Sequence, residues 1–236
     1  MTIINNSYRF VFVHVPKAAG TSVTAALGVL TNYCDQEIGG TVFGEEIQGA
    51  YLKRFGLAKH STAAEIRSLI GAVTWNRYFT FSFVRNPFTR AASTYNFLRK
   101  WPGPTNSFIE RMRAFQSFDD YVLSDIWDEG HGPDQIFRPQ AYWLREAFNS
   151  KLLPSFVGKL ETLGEDLRHI LDVIDAPTHI KERIQIPHAN QSGGDGSAQG
   201  ISERPKVLNR ILEKYSIDFD QFDYPRAPPT VFGPSG

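Results

Sequence analysis

Apolar positions change their spacing twice within the first thirty residues. Residues 8–15 form an almost unbroken apolar run around Phe10, Val11, Phe12 and Val13, and such a run reads as a strand buried on both faces. It breaks at Pro16, and apolar positions return at helical spacing over 21–30. The same alternation recurs twice. Residues 78–84, YFTFSFV, are aromatic and β-branched and predict a strand, followed by a turn at Asn86-Pro87 and a helix over 88–100. A short strand near Phe156 leads into a helix with Leu163, Leu167, Ile170, Leu171 and Ile174 on one face. Strands alternating with helices predict an α/β fold: a single domain over residues 1–224 with a central parallel sheet flanked by helices, and a proline-containing tail over 225–236.

Two stretches are open to two readings. Between 101 and 131, Phe108, Met112, Phe115, Phe118, Tyr121 and Val122 recur three or four apart, a pattern that suits helices lining a core or roofing a cleft. Residues 190–200, NQSGGDGSAQG, offer nothing to pack and suit either a plain connection or a flap over a ligand.

Composition narrows the function classes. The 236 residues, 42% of them hydrophobic, suffice for one sizeable core. Lys and Arg number 25 and so do Asp and Glu, so no global field recruits nucleic acid or an anionic membrane, and any anion site has to be local. The single cysteine, Cys34, excludes an internal disulfide and a cysteine zinc cluster, fits a reducing compartment, and reads as a small buried hydrophobe. No apolar run reaches the roughly 18 to 20 residues of a bilayer span, and the N-terminus lacks the pattern of a signal peptide. These features predict a cytoplasmic protein.

The candidate chemistry lies where the strands end. Residues 16–22, PKAAGTS, place small residues and one lysine between strand and helix. Backbone N–H groups at a helix N-terminus favour an anion; Ala18, Ala19 and Gly20 permit close backbone approach, Lys17 adds a charge, and Thr21 and Ser22 add donors suited to capping. The P-loop order GxxxxGK[ST] of nucleoside triphosphatases is absent, because Lys17 precedes the glycine. An ordinary strand-to-helix turn with a solvated lysine would also account for this stretch. The second strand ends on Arg85, where a Walker-type nucleotidase carries a magnesium-binding aspartate, and this favours an anion held without a metal. Ser93 follows Arg85 by eight residues, about two helical turns.

Together, PKAAGTS and VRNPFTRAASTY resemble the two donor-binding motifs of sulfotransferases that use 3′-phosphoadenosine 5′-phosphosulfate, and most closely those of the carbohydrate sulfotransferase group and its bacterial, soluble relatives. FRPQAYWL at 137–144, FVGKLETLGEDL at 156–167 and KYSIDFDQFDY at 214–224 are similar to later landmarks of that group, so the likeness covers nearly the whole chain. The resemblance implies the P-loop NTPase-like sulfotransferase fold. It also implies that Lys17, Ala18, Ala19, Gly20, Thr21 and Ser22 hold the 5′-phosphosulfate and that Arg85 and Ser93 hold the 3′-phosphate, with no metal. The acceptor implied is a hydroxyl of a carbohydrate or another small polyhydroxylated molecule, its selection residing in residues 39–56 and 101–134.

Sulfuryl transfer to a hydroxyl needs charge on the leaving oxygen, for which Lys17 is the candidate, and a base. Histidine titrates in the right range. Of the six, His14 in the first strand and His169 on a packing helix read as structural, whereas His60 opens a predicted helix 25 residues before Arg85. A similar histidine is the base in uronyl-type carbohydrate sulfotransferases, which implies that role for His60; Glu45, Glu65 and His131 are alternatives. A nucleotide kinase and a non-catalytic phosphoadenosine-binding module are the competing functional readings.

Overall fold

Thr2, Ile3, Ile4 and Asn5 are all buried and form a strand, β1 (Thr2–Asn5), which turns back through residues 6–9 into β2 (Phe10–Val13) with Ile4 opposite Val11. Arg9, at φ 54°, supplies the left-handed step of that turn. In this computed structural model, which describes residues 1–128, 135–146, 151–184 and 200–229, three further strands complete one sheet: β3 (Gln36–Ile38), β4 (Phe79–Val84) and β5 (Phe156–Lys159). Their order is β3-β1-β2-β4-β5. The centre is parallel as expected, with Val13 beside Ser82 and Val84 beside Lys159. The other edge is not: β1 and β3 add antiparallel, so the sheet is mixed. The predicted first strand is also too long, since the ladder stops at Val13 and leaves His14 and Val15 beyond it.

Thirteen α-helices are described: α1 (Gly20–Leu27), α2 (Val42–Phe55), α3 (Ala63–Ile70), α4 (Ala72–Arg77), α5 (Pro87–Arg99), α6 (Ser107–Ala114), α7 (Phe118–Val122), α8 (Asp125–Asp128), α9 (Ala141–Leu144), α10 (Leu163–Val173), α11 (Thr178–Lys181), α12 (Pro205–Lys214) and α13 (Ser216–Gln221). None is long and apolar enough to cross a membrane. The first predicted helix ends at Leu27 and tightens into a 3-10 turn over Gly28–Leu30. Of the two regions expected to select the acceptor, 39–56 is mostly filled by α2, and 101–134 contains α6, α7 and α8, as the helical spacing over 101–131 predicts. Of residues 190–200 only Gly200, and of the tail 225–236 only the part up to 229, fall among the described residues.

These elements belong to two compact units, Met1–Val84 with Gln140–Asn190, and Arg85–Pro139 with Gln191–Gly236. The first holds the sheet. One apolar cluster gathers Ile3, Phe10, Phe12, Phe81 and Phe83 from the strands, Val23, Ala26 and Leu27 from α1, and Leu163, Leu167, Ile170 and Leu171 from α10. Alternate strand residues facing the other way, Val11, Val13, Ser82 and Val84, are equally buried. A sheet covered on both faces explains why β2 and β4 read as continuous apolar runs.

The second unit packs α5 against α6, α7 and α12. Its core is aromatic: Tyr121 stacks on Tyr95 at 5.6 Å and meets Trp127 edge-on at 5.4 Å and Phe137 at 5.7 Å. The stripe read between 101 and 131 is therefore core at Met112, Phe118, Tyr121 and Val122, with Phe108 and Phe115 half-buried. Buried Arg90 joins it through its guanidinium, which donates to the carbonyls of Arg138 (3.0 Å) and Ile136 (3.1 Å).

Cys34 is exposed, contrary to its reading as a buried hydrophobe, because its neighbour Asp35 holds the segment at the surface. The Asp35 carboxylate accepts from the backbone N–H of Asn6 (2.6 Å), Ser7 (3.0 Å) and Asn32 (2.8 Å), from the Ser7 hydroxyl (2.9 Å) and from Asn5 Nδ2 (3.1 Å). This ties the β1–β2 turn to the chain entering β3. Partial burial works to raise its pKa, but the N–H donors and the Ser7 hydroxyl outweigh it and hold the carboxyl below its usual value. The unfolded chain therefore binds the proton more readily, so the stabilisation is present above the ordinary aspartate range near pH 4 and is lost as pH falls through the lower folded value. Asp35→Ala should destabilise the chain by about 1–2 kcal/mol at pH 7. Urea melts should show the gap between the two proteins closing below about pH 4.

Candidate active site

Six residues, 14–19, carry the chain from the end of β2 to the start of α1, and two of them lie in the left-handed region: Lys17 at φ 65° and Ala19 at φ 68°. Neither is glycine, so each costs on the order of 1 kcal/mol or more. The strain turns the chain sharply enough for α1 to begin at Gly20. Ala18 N donates to Val15 O (3.3 Å) and Val23 N to Ala19 O (3.0 Å), closing the turn. Thr21 and Ser22, read as capping residues, instead occupy the first helical turn. The cap position is Ala19, whose methyl has no oxygen to offer, so no side chain caps the N–H groups of Gly20, Thr21 and Ser22. An anion is the natural partner for such an end.

Gly20 is glycine because of His14. A Cβ on Gly20 would lie 1.7 Å from His14 Nε2 and 2.2 Å from its Cδ2. His14, just beyond β2, is 7% exposed and accepts at Nδ1 from the Met1 amino group. Its ring packs against that of His60 in a tilted pair, with centroids 4.4 Å apart and planes inclined by 33°, and His60 Nδ1 donates to the His14 carbonyl at 3.4 Å. His60 does not open a helix as expected. It lies two residues before Thr62, which caps α3 in a reciprocal box with Glu65. Ser61 fixes that approach by accepting from Ala58 N at 2.8 Å.

Both histidines are held well below the usual imidazole pKa. For each the largest cause is burial, followed by the positive Met1 amino group; the Lys59 charge lowers both, though a hydrogen bond to the Lys59 backbone works the other way on His14, and the Lys17 charge also lowers His60. His60 is therefore neutral at pH 7, and it feels the Lys17 charge. The alternative bases are engaged elsewhere. Glu65 accepts from Thr62 N at 2.7 Å, and Glu45 accepts from Lys59 Nζ at 3.2 Å and from Gln48 Nε2 at 2.7 Å. His169 packs against Phe156, and His131 lies outside the described residues.

Arg85 and Ser93 belong to the second unit. Arg85 directly follows Val84, and Asn86 and Pro87 open α5 as their types predict: Asn86 Oδ1 accepts from Phe88 N at 3.0 Å and Pro87 takes the first helical position. The spacing argument missed Thr89. Its hydroxyl accepts from Arg85 Nε at 2.9 Å and donates to Asn86 O at 3.1 Å, which lays the arginine along α5. Thr89 and Ser93 are four residues apart and share a helix face. His14 and Lys59 were missed as well. The signal for His14 is its place one residue past an apolar strand and three before the loop lysine; nothing in the sequence marks its contact with His60.

Gly20→Ala should be felt at once. The ring it would displace is pinned between β2 and His60, so the variant should lose at least about 1–3 kcal/mol of stability. Thermal melts and the His60 ring signals would register the change, whereas Gly28→Ala, with nothing within 4 Å of its added Cβ, should melt near wild type or slightly above.

With this geometry in view, comparison with known proteins identifies the family. Residues 1–225 match the model described as "Sulfotransferase family". The chain is 24% identical over 247 residues to carbohydrate sulfotransferase 14 of Homo sapiens, covering 94% of this chain and 60% of that one, and 25% identical over 249 residues to the same enzyme of Danio rerio, covering 94% and 62%. It thus spans about 60% of the length of these relatives. An uncharacterized protein of Archaeoglobus fulgidus is 29% identical over 120 residues, half of this chain and 86% of its own. No solved structure matches. The chain belongs to the sulfotransferase family.

Proposed function

We propose that this protein transfers a sulfuryl group from 3′-phosphoadenosine 5′-phosphosulfate to a hydroxyl of a carbohydrate or a similar polyhydroxylated acceptor. The observation that carries this reading is the start of α1 at Gly20, which no side chain caps, with the His14 ring filling the space beside Gly20 and packing 4.4 Å from the His60 ring. The family supplies the donor class, and the names of the relatives supply the acceptor class.

In this reading the N–H groups from Ala18 to Ser22 receive the phosphosulfate end of the donor, and Arg85, held by Thr89, and Ser93 receive the 3′-phosphate. The acceptor oxygen attacks sulfur as the bond from sulfur to the 5′-phosphate oxygen breaks. Lys17 neutralises the negative charge that builds on that departing oxygen, and His60 takes the hydroxyl proton. The products are a sulfate ester, 3′-phosphoadenosine 5′-phosphate and a protonated His60. The cations that keep His60 neutral also favour return of that proton to solvent. A base with a depressed pKa is weaker but remains deprotonated at lower pH, so the acidic limb of the rate profile should fall below the ordinary histidine range.

Incubation with the sulfated donor and pooled saccharides, following release of 3′-phosphoadenosine 5′-phosphate, tests the function directly. Release that depends on acceptor and persists in chelator is expected; strict magnesium dependence with transfer from ATP would support a kinase instead. Lys17→Ala should lower turnover more than it weakens product binding, because charge on the bridging oxygen develops in the transition state. His60→Ala should cost roughly a hundred- to ten-thousand-fold in turnover with donor affinity near wild type, and should abolish the acidic limb. By calorimetry, Arg85→Ala should weaken 3′-phosphoadenosine 5′-phosphate about ten- to a hundred-fold while barely changing the affinity for 5′-AMP.

A further inference from the structure

His14 has no part in the reaction just described, yet it touches that site at three points. Its ring lies where a Gly20 Cβ would be and packs, tilted, against the His60 ring at 4.4 Å, and its carbonyl sits 3.4 Å from His60 Nδ1. The chemistry of those contacts decides where the protons are. A carbonyl only accepts, so His60 Nδ1 carries the hydrogen and, in the neutral ring, Nε2 carries the lone pair. An amino group bearing charge only donates, so the His14 Nδ1 that meets Met1 carries the lone pair and its Nε2 the hydrogen. Free imidazole side chains favour hydrogen on Nε2, so the site holds His60 in the less common of its two neutral forms.

We propose that His14 is a positioning residue for His60: its ring, packed against the His60 ring, and its carbonyl hold the imidazole in the Nδ1–H form and direct the Nε2 lone pair as the base. This rests on the reading of His60 as the base. The carbonyl holds one ring atom, and the tilted His14 ring packed 4.4 Å away restricts rotation about that contact. Gly20 completes the device by leaving room for the His14 ring, so a single glycine serves both the phosphate loop and the base. When His60 accepts a proton at Nε2, its Nδ1–H to the His14 carbonyl becomes a charge-assisted bond, stronger when the transferred proton is present than before.

The experiment uses the full chain labelled with ¹⁵N-histidine. Long-range ¹H–¹⁵N spectra at pH 7 should show one imidazole, assigned by its loss in His60→Ala, with a pyrrole-like Nδ1 and a pyridine-like Nε2. A His60 signal with hydrogen on Nε2 in the wild type overturns the proposal, whatever the variants do. Among the variants, His14→Ala should lose roughly ten- to a hundred-fold in turnover at an unchanged KM for the donor. His14→Phe, which keeps a flat ring and the backbone carbonyl, should recover most of that loss and retain the Nδ1–H form. A purely structural histidine would not separate kcat from KM in this way, and a His14→Ala protein that melts as wild type and turns over at the wild-type rate rejects the positioning role. If neither variant folds, the wild-type spectrum decides. Full turnover in His60→Ala contradicts the base itself, a result separate from the behaviour of His14.

Discussion

The contact on which the candidate site depends is the one between the His14 ring and the α carbon of Gly20. It exists because β2 ends at Val13 and α1 begins seven residues later, and so short a connection brings the first helical residue back onto the residue leaving the strand. Any side chain at Gly20 would push the imidazole away, and with it the ring contact to His60. The same short connection forces left-handed backbone at Lys17 and Ala19 and places a residue without a polar side chain at the helix cap. Strain, missing cap and glycine are three consequences of one turn, and all three leave a helix end suited to an anion.

Charge is deployed locally on a chain whose net charge is zero. Met1, Lys17 and Lys59 bear on His60, and together with its burial they suppress its protonation. In the proposed reaction, whose donor is highly anionic, this is a useful arrangement, since cations that attract phosphate would also keep the proposed base neutral. In the second unit, Thr89 places Arg85 and leaves its charge intact, while Arg90 in the same motif is spent on the carbonyls of Ile136 and Arg138. Two arginines five residues apart thus carry different work, and burial distinguishes them: Arg90 is enclosed in an aromatic core and Arg85 is partly accessible.

Much of this was legible in the chain because both faces of the sheet are covered. Continuous apolar runs marked β2 and β4, and Asn86-Pro87 marked the start of α5 to within one residue. The Leu and Ile positions of α10 were read correctly because helical periodicity survives where one face alone is buried. β1 and β3 were not legible. They are four and three residues long, and their place is set by the pairing of β1 with β2, of β3 with β1, and by the Asp35 hydrogen bonds, which leave no periodic trace. The 39–56 helix was missed for a related reason: α2 buries only Gly44, so no apolar stripe announces it. At the site, the residue types in the loop pointed to an anion, but a contact between positions 14 and 60, forty-six residues apart, is a tertiary fact.

The central claim is that the uncapped start of α1 is where the donor's phosphate end binds, and backbone amide shifts measure that directly. Titration of the ¹⁵N-labelled protein with 3′-phosphoadenosine 5′-phosphate should move the Gly20, Thr21 and Ser22 amides downfield along a saturable curve, with an affinity matching that from calorimetry. If the nucleotide binds with the same affinity while those three amides stay where they were, the helix end is not the phosphate site and the account fails.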